Sequence, residues 1–254
     1  MHAGVGGPSP YGDHLPVVLV HGFGVSGRYF GPTAWRLARH FPVYVPDLPG
    51  HGQSDLGGSV LDVSGLADAL VAWLDAAGLS RVVLVGNSYG CQISARAAIR
   101  HPGRVAGLVF IGPTLEPRYR PLHVLLPRFL SALPHERPSI IPMQLVEFLR
   151  FGVHRLPREL SYMTRDRLEE VLPRLTVPVL TVRGGRDQVV SGAWAERVAS
   201  LCPSGRLVVL DGHGHALNYS APGPLVRTIT PFLHEVAAIP FVRGRALRRR
   251  GVGA

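Results

Sequence analysis

The sequence contains no lysine: all 27 basic residues are arginines, and with 17 acidic residues they give a formal net charge of +10. A charge of this size can indicate a nucleic-acid partner. Residues 243–254 hold five of the arginines with no aromatic residue among them, so nothing there could stack on bases. We therefore predict a basic C-terminal tail and no nucleic-acid partner. Such a tail can bind polyanions or anionic lipid, although a solvated terminus is the simpler interpretation. The tail arginines are Arg243, Arg245, Arg248, Arg249 and Arg250.

Cysteine and long apolar runs are also scarce. Cys91 and Cys202 have neither metal-ligand spacing nor the pattern of a disulfide framework. No early segment has the order of a signal peptide, and no apolar run reaches the roughly 18 residues of a membrane span. These absences predict a cytoplasmic protein without a membrane span. No feature of the sequence calls for a metal or an organic cofactor.

The sequence does contain short β-branched runs that alternate with helical patterns. The runs suit strands buried on both faces of a parallel sheet, and the 254 residues suit one mid-sized domain. We predict a doubly wound, mostly parallel α/β sheet flanked by helices. The predicted strands are residues 16–20, 43–45, 82–85, 105–111, 179–182 and 207–210. The predicted helices are residues 61–77, 89–100 and 193–201.

Residues 113–175 interrupt this alternation. The stretch is rich in proline, with one amphipathic helical pattern around Leu145, Phe148 and Leu149 and another over residues 160–172. About sixty residues are too many for an ordinary connection, which disfavours a single long crossover. We predict a helical lid insertion over 113–175 within an α/β core formed by residues 1–112 and 176–242.

A G-x-S-x-G motif, Gly86-Asn87-Ser88-Tyr89-Gly90, lies between a predicted strand and a predicted helix. In a nucleophile elbow this turn lifts the serine hydroxyl above the sheet, and glycines flank it because a side chain would clash with the neighbouring elements. With 30 glycines in the chain, the motif alone is weak, but the strand–turn–helix context makes it specific. We predict Ser88 as a nucleophile.

A serine hydroxyl needs a base, and the base needs an orienting acid. In this arrangement the chain order is serine, acid, histidine. Asp187 follows the strand predicted over 179–182, and His215 follows the last predicted strand. We predict a Ser88–His215–Asp187 catalytic triad. The alternatives are His213 as the base, and Asp211 or Glu116 as the acid.

The oxyanion formed during acyl transfer needs two hydrogen-bond donors. One is the backbone N–H of Tyr89, directly after the nucleophile. The second should lie in the loop His21-Gly22-Phe23-Gly24 after the first core strand, where glycine allows close approach to the substrate. We predict an oxyanion hole from the N–H groups of Phe23 and Tyr89, with His21 in a structural role.

Together these motifs resemble the α/β-hydrolase fold superfamily, in its compact bacterial form with a helical lid. The resemblance covers residues 16 to about 235 and includes the loop 21–24, the segment 47–54, the elbow, and the Asp187 and His215 segments. The segment 47–54 resembles a structural turn of the family. The resemblance therefore implies no catalytic role for Asp47, His51 or Ser54.

The chain departs from the family pattern at its start. Family members carry an antiparallel strand pair before the first core strand, but the residues before Pro16 are poor strand formers. Either the pair is missing or the start lies upstream. If it is missing, residues 43–45 become an open sheet edge that needs cover from the N-terminal arm or from a partner subunit, as in a homodimer. Cys91 also stands where a second glycine is common, and we interpret it as a packing residue.

The resemblance implies hydrolysis of a small-molecule carboxylic ester or thioester through an acyl-enzyme on Ser88. The apolar character of the predicted lid favours a medium-sized apolar or aromatic acyl group. The predicted substrate-binding residues are Gly22, Asn87, Phe129 and Phe148.

Two alternative functions remain. Asn87 also resembles the elbow of relatives that hydrolyse carbon–carbon bonds in dienoate ring-cleavage products. Those relatives use a lid arginine for the substrate carboxylate, and the predicted lid offers Arg118, Arg120, Arg128, Arg150 and Arg155. The fold also hosts non-hydrolytic ligand-binding proteins and lyases or cyclases, because a fold does not fix a function.

Overall fold

The computed structural model describes residues 1–7 and 15–239. The predicted basic tail, residues 243–254, lies outside them. Seven strands form one sheet in the order β1-β3-β2-β4-β5-β6-β7, parallel except for β1. The strands are β1 Ala3–Gly6, β2 Val17–Val20, β3 Val43–Pro46, β4 Val82–Asn87, β5 Val105–Ile111, β6 Val179–Gly184 and β7 Gly205–Leu210.

Helices cover both faces of the sheet. One buried cluster includes Leu70 and Ile93 on one face, and a second includes Leu37 and Phe232 on the other. The predicted doubly wound fold is therefore confirmed. The helices are α1 Gly31–Leu37, α2 Val63–Ala76, α3 Tyr89–Arg100, α4 Leu122–Ala132, α5 Ile140–Phe151, α6 Leu156–Arg165, α7 Leu168–Val171, α8 Gly192–Leu201, α9 Leu217–Ser220 and α10 Pro222–Ala237. Across the described ranges, no helix is both long enough and apolar enough to cross a bilayer.

The buried strands form where the β-branched runs lie. All six residues of β4 and all seven of β5 are buried, because helices pack on both faces of these central strands. Parallel pairing brings the carboxyl ends of β4, β5, β6 and β7 to one edge of the sheet. The elbow and the predicted Asp187 and His215 loops follow these ends.

The N-terminal residues contain a strand that the sequence did not predict. β1 pairs antiparallel with β3, with Ala3 opposite Pro46 and Gly6 opposite Val43. Among the described residues, β1 is the one antiparallel strand of the sheet. The residues before Pro16 are poor strand formers, from which no strand was expected, and this expectation was wrong for Ala3–Gly6. Backbone pairing with an open edge does not require good strand formers. Because β1 covers the edge of β3, that edge is not open to a second copy of the chain, and a homodimer is not needed to cover it.

Four helices, α4 to α7, lie between β5 and β6 within the stretch predicted to be a lid. One helix predicted there is wrong: residues 160–172 do not form a continuous helix, because α6 ends at Arg165 and α7 begins at Leu168. Asp166 is extended, with φ −67° and ψ 134°. Its carboxylate accepts hydrogen bonds from Arg96 and Gln92 of α3, which hold the chain out of the helix. Residues 113–175 are called the insertion below.

Candidate active site

Ser88 lies in the turn between β4 and α3, where its backbone has φ 54° and ψ −118°. It is the one non-glycine residue with positive φ in the described chain, and such strain tends to occur at functional sites. A Cβ on Gly90 would collide with the backbone oxygen of Val20, and one on Gly86 would lie 2.5 Å from the Gly90 oxygen. The flanking glycines therefore let β2, the elbow and α3 pack in direct contact.

Asp187 and His215 are hydrogen bonded to each other. The Nδ1 of His215 donates to Oδ2 of Asp187 at 2.8 Å. The other oxygen, Oδ1, accepts from the N–H groups of Val189 and Val190 at 2.8 and 2.9 Å, which fixes the carboxylate. Nε2 of His215 is buried and has no hydrogen-bond partner among the described residues. The ring is thus oriented with one nitrogen free to accept a proton.

The carboxyl end of β5 lies between the serine and the histidine. The N–H of Ser88 donates to the oxygen of Ile111 at 2.9 Å. A Cβ on the next residue, Gly112, would lie 2.8 Å from Nδ1 of His215 and 3.2 Å from Oδ2 of Asp187. The imidazole therefore packs directly on Gly112, where a side chain would displace it. Sequence reasoning missed Gly112, although a glycine directly after a buried strand was a usable signal.

The alternative acids and base occupy other positions. The backbone oxygen of His213 accepts from Arg186 at 2.8 Å. Asp211 lies in an exposed turn after β7. Glu116 accepts a hydrogen bond from Ser191, the N-cap of α8, at 2.7 Å. Within the described chain, no hydrogen bond joins any of these three side chains to the acid–base pair.

The two predicted oxyanion donors lie on either side of the nucleophile. Tyr89 is the first residue of α3, so its N–H has no acceptor within the helix. Phe23 belongs to the loop after β2, and a Cβ on the neighbouring Gly22 would lie 3.4 Å from Cβ of Ser88. The loop therefore closely approaches the elbow. The assignment of the two N–H groups stays a prediction.

The insertion contacts this loop through Glu159 of α6, a carboxylate that is 1% exposed. Its Oε2 accepts from the N–H of Gly24 at 3.2 Å, and its Oε1 accepts from Nε2 of His51 at 2.9 Å. Gly24 follows the predicted donor Phe23 directly. Glu159 thus links the insertion to both the oxyanion loop and the turn over residues 47–54.

His21 is fully buried beneath the loop. Its Nδ1 donates to the oxygen of Gly22 at 3.0 Å, and its Nε2 accepts from the N–H of Leu48 at 3.0 Å. Burial, together with the charge of His51, lowers the pKa of His21 to about 3, so the ring is neutral near pH 7. These contacts agree with the structural role predicted for His21.

A second glutamate of the insertion holds the histidine loop. Glu136 follows α4 and accepts from the N–H of Ala216 at 2.8 Å and from the hydroxyl of Ser220 at 2.5 Å. Ala216 is the residue after His215. Sequence reasoning missed both Glu136 and Glu159, because neither lies in a motif and their partners are distant in sequence.

The surroundings of His215 set its basicity. Burial lowers the pKa of His215, but the charge and hydrogen bond of Asp187 outweigh this, and the charge of Glu136 adds to them. The pKa therefore lies above the ordinary value of about 6.5. A base must be unprotonated to accept a proton, so activity should fall as the pH drops through this raised pKa.

The fall in activity at low pH is the acid limb of the pH profile. Replacing Glu136 by glutamine should move this acid limb to lower pH. The change removes a negative charge near His215 but keeps an oxygen that can accept from Ala216, so the pKa of His215 should fall. The measurement is the pH profile of kcat/KM, which reports groups of the free enzyme. Glu170→Gln, an exposed carboxylate of the insertion, is the control and should leave the limb in place. An unchanged limb in Glu136→Gln would contradict the assignment of the limb to His215.

The predicted substrate-binding residues have different surroundings. Gly22 adjoins the nucleophile, and the ring of Phe148 meets that of Phe23 edge-on with centroids 6.2 Å apart. Phe129 packs against the buried core. The side chain of Asn87 is buried, and its amide nitrogen donates a hydrogen bond to the backbone oxygen of Ile111 at 3.1 Å. The substrate contacts of all four stay predictions.

Comparison with known proteins agrees with this geometry. The model of the alpha/beta hydrolase family matches residues 17–228. A pimeloyl-[acyl-carrier protein] methyl ester esterase of Xanthomonas oryzae is 31% identical over 245 residues, covering 85% of this chain and 92% of that protein. The solved structure of a thermophilic esterase from Thermogutta terrifontis is 24% identical, with a TM-score of 0.79 and 93% of each chain covered.

Another solved structure is that of an enzyme described as degrading N-acyl homoserine lactones. It is 25% identical, with a TM-score of 0.74, and the match covers 91% of this chain and 96% of that one. The resemblance stated from the motifs, the fold and the hydrolase class are thus confirmed. The chain belongs to the alpha/beta hydrolase family.

Proposed function

We propose that the protein is a serine hydrolase that cleaves a carboxylic ester through an acyl-enzyme on Ser88. The hydrogen-bonded pair of Asp187 and His215 carries the proposal. It leaves Nε2 free at the end of β5, the strand end to which the backbone of Ser88 is also bonded. The strained backbone of Ser88 supports the same function.

In the first half of the reaction, Oγ of Ser88 attacks the acyl carbon while Nε2 of His215 accepts the hydroxyl proton. The oxyanion is bound by the N–H groups of Phe23 and Tyr89. When the intermediate collapses, the carbon–oxygen bond to the alcohol breaks and the alcohol takes the proton from His215. Asp187 stabilises the imidazolium during these steps.

In the second half, water attacks the acyl-enzyme and gives a proton to His215. The intermediate then releases the carboxylic acid, and Ser88 recovers its proton from His215. No further group is needed for the atoms and charges to balance. A thioester would react by the same steps with a thiol as the leaving group.

We propose that the insertion acts as a lid and that the acyl group is medium-sized and apolar or aromatic. The contact of Phe148 with Phe23 supports this, since it puts an aromatic face of the insertion at the oxyanion loop. The relatives agree with an acyl substrate: one is a pimeloyl-[acyl-carrier protein] methyl ester esterase, and another degrades N-acyl homoserine lactones.

Hydrolysis of carbon–carbon bonds has less support. The amide of Asn87 is bonded to backbone, and three of the insertion arginines are engaged: Arg118 pairs with Glu116, Arg120 pairs with Glu169, and Arg128 stacks on Tyr119. Arg150 is about half exposed and lies 3.6 Å from Glu147. A non-hydrolytic binding protein would have no need of an oriented imidazole beside a strained serine.

The function is tested by covalent labelling and turnover. The protein is incubated with a fluorophosphonate and its intact mass measured, and p-nitrophenyl esters of several chain lengths are assayed in parallel. We expect one label per chain, located on Ser88, and no label on Ser88→Ala. Ser131→Ala, an exposed serine of the insertion, should label like the wild type. Absence of label together with turnover equal to that of Ser88→Ala would rule out the serine hydrolase.

A further inference from the structure

Two helices of the insertion present rows of apolar side chains to solvent. On α4, Leu122, Leu126 and Leu130 are 48%, 49% and 66% exposed. On α5, Ile141, Leu145 and Leu149 are 50%, 59% and 62% exposed. In both rows the residues are four apart, so each row follows one side of its helix. Each helix therefore carries one exposed apolar row that runs along most of its length.

The exposed apolar side chains are concentrated in one part of the chain rather than scattered over it. Of the thirteen large apolar side chains exposed in residues 1–7 and 15–239, eight lie between residues 122 and 153. Single exposed apolar residues are ordinary on protein surfaces, but so many in one stretch of the chain indicate an interaction site. The eight, called the insertion face below, are Leu122, Leu126, Leu130, Ile141, Leu145, Val146, Leu149 and Val153.

The inward sides of the same helices are already packed. Leu125 of α4 is completely buried in the core, and Phe148 of α5 contacts Phe23. Glu136 and Glu159 also bond the insertion to the core. The insertion face is thus exposed while the insertion is docked, and packing against the core does not account for its apolar character.

The exposed charges in the sequence stretch that carries the insertion face are all positive. Between residues 117 and 158 the exposed charged side chains are Arg118, Arg137, Arg150 and Arg158. Arg118 pairs with Glu116 and Arg150 lies 3.6 Å from Glu147, whereas no ion pair involves Arg137 or Arg158 among the described residues. The two acidic residues of this stretch point inward: Glu147 is 2% exposed, and Glu136 bonds Ala216 and Ser220. No exposed carboxylate in this stretch would oppose an anionic partner.

We propose that the insertion face binds the surface of an anionic lipid bilayer. Leucine-rich helices with arginine as their exposed charge are typical of segments that lie in the bilayer interface, and anionic headgroups attract arginine. α4 and α5 have 11 and 12 residues, too few to span a bilayer, so they would lie along it.

The composition of the insertion face favours lipid over a protein partner. Its members are leucine, isoleucine and valine, with no aromatic residue. Binding hot spots between proteins are enriched in tryptophan, tyrosine and arginine, whereas leucine and valine are under-represented. Since α5 also contacts the oxyanion loop through Phe148, a bilayer bound to α5 would lie on a helix that packs against this loop.

The test is flotation of the full chain with vesicles. We expect binding to phosphatidylglycerol–phosphatidylcholine vesicles, weaker binding to pure phosphatidylcholine, and release as salt rises because salt screens the arginines. The triple variant Leu126→Gln, Leu145→Gln, Leu149→Gln should lose at least tenfold in affinity. Arg137→Gln with Arg158→Gln should lose about fivefold per arginine. Circular dichroism and turnover of a soluble ester, both unchanged, show that the variants are folded.

Two controls separate the insertion face from other candidates. Trp35→Gln removes an exposed aromatic residue that stacks on Arg39, outside the insertion. Changing Arg248, Arg249 and Arg250 to glutamine removes three of the five arginines of the tail. Both controls should bind vesicles within about twofold of the wild type if the insertion face is the site. The proposal is overturned if a control abolishes binding while the insertion variants bind normally. It is also overturned if the wild type binds no anionic vesicle, which would leave the insertion face to a protein partner.

Discussion

Replacing Ser88 or His215 by alanine is expected to lower kcat/KM for a p-nitrophenyl ester by about a thousandfold or more. Ser88→Ala removes the nucleophile, and His215→Ala removes the nitrogen that accepts its proton. Because the two act in one step, the double variant should be about as slow as either single variant. Residual hydrolysis would come from the oxyanion donors.

The control for this prediction is His213→Ala. His213 lies two residues from His215, but no hydrogen bond among the described residues joins its ring to Asp187. Its loss should change kcat/KM by only a few fold. An inactive His213 variant beside an active His215 variant would reverse the assignment of the base.

Replacing Gly90 by alanine should destabilise the protein by about 3 kcal/mol or more. The new methyl group would collide with the backbone oxygens of Val20 and His21 in and after β2. A flexible side chain could rotate away from such a collision, but the backbone of a central strand cannot. The free energy of unfolding is measured by urea titration, and ester turnover should fall as the elbow is displaced.

Gly223→Ala is a matched control for this change. Gly223 is the second residue of α10, as Gly90 is of α3. Its Cβ would lie 3.6 Å from the end of the Arg227 side chain, which can move. Alanine favours a helix over glycine by up to about 1 kcal/mol, so this variant should be neutral or stabilised. Equal destabilisation of both variants would refute the argument from close packing at the elbow.

Sequence reasoning succeeded where the signal is local. β4 is a run of buried β-branched residues that ends in the elbow motif, so strand, turn and helix could be predicted from neighbouring residues. The pairing of Asp187 with His215 could also be anticipated, because parallel strands bring their carboxyl ends to one edge of the sheet. The hydrogen bond between them now supports that prediction, while their catalytic roles await the kinetic test.

Sequence reasoning failed where contacts between residues far apart in the chain determine the structure. Ala3–Gly6 has weak strand propensity and becomes a strand because β3 offers an open edge. Asp166 interrupts a helical pattern because Arg96 and Gln92 bond its carboxylate from 70 and 74 residues away. Glu136 accepts a hydrogen bond from Ala216, which lies 80 residues further along the chain. No window of sequence contains both members of such a pair.

The anchoring of the insertion limits how this enzyme can be recombined with its relatives. Both glutamates lie within the insertion but hold loops of the core. Glu136 bonds the loop of His215, and Glu159 bonds the loop of Phe23. A chimera that receives a foreign insertion without carboxylates at these two places would keep every predicted catalytic side chain and lose the bonds that hold two of their loops. Crossover sites chosen to change substrate range should therefore keep both glutamates with the parent that supplies the loops.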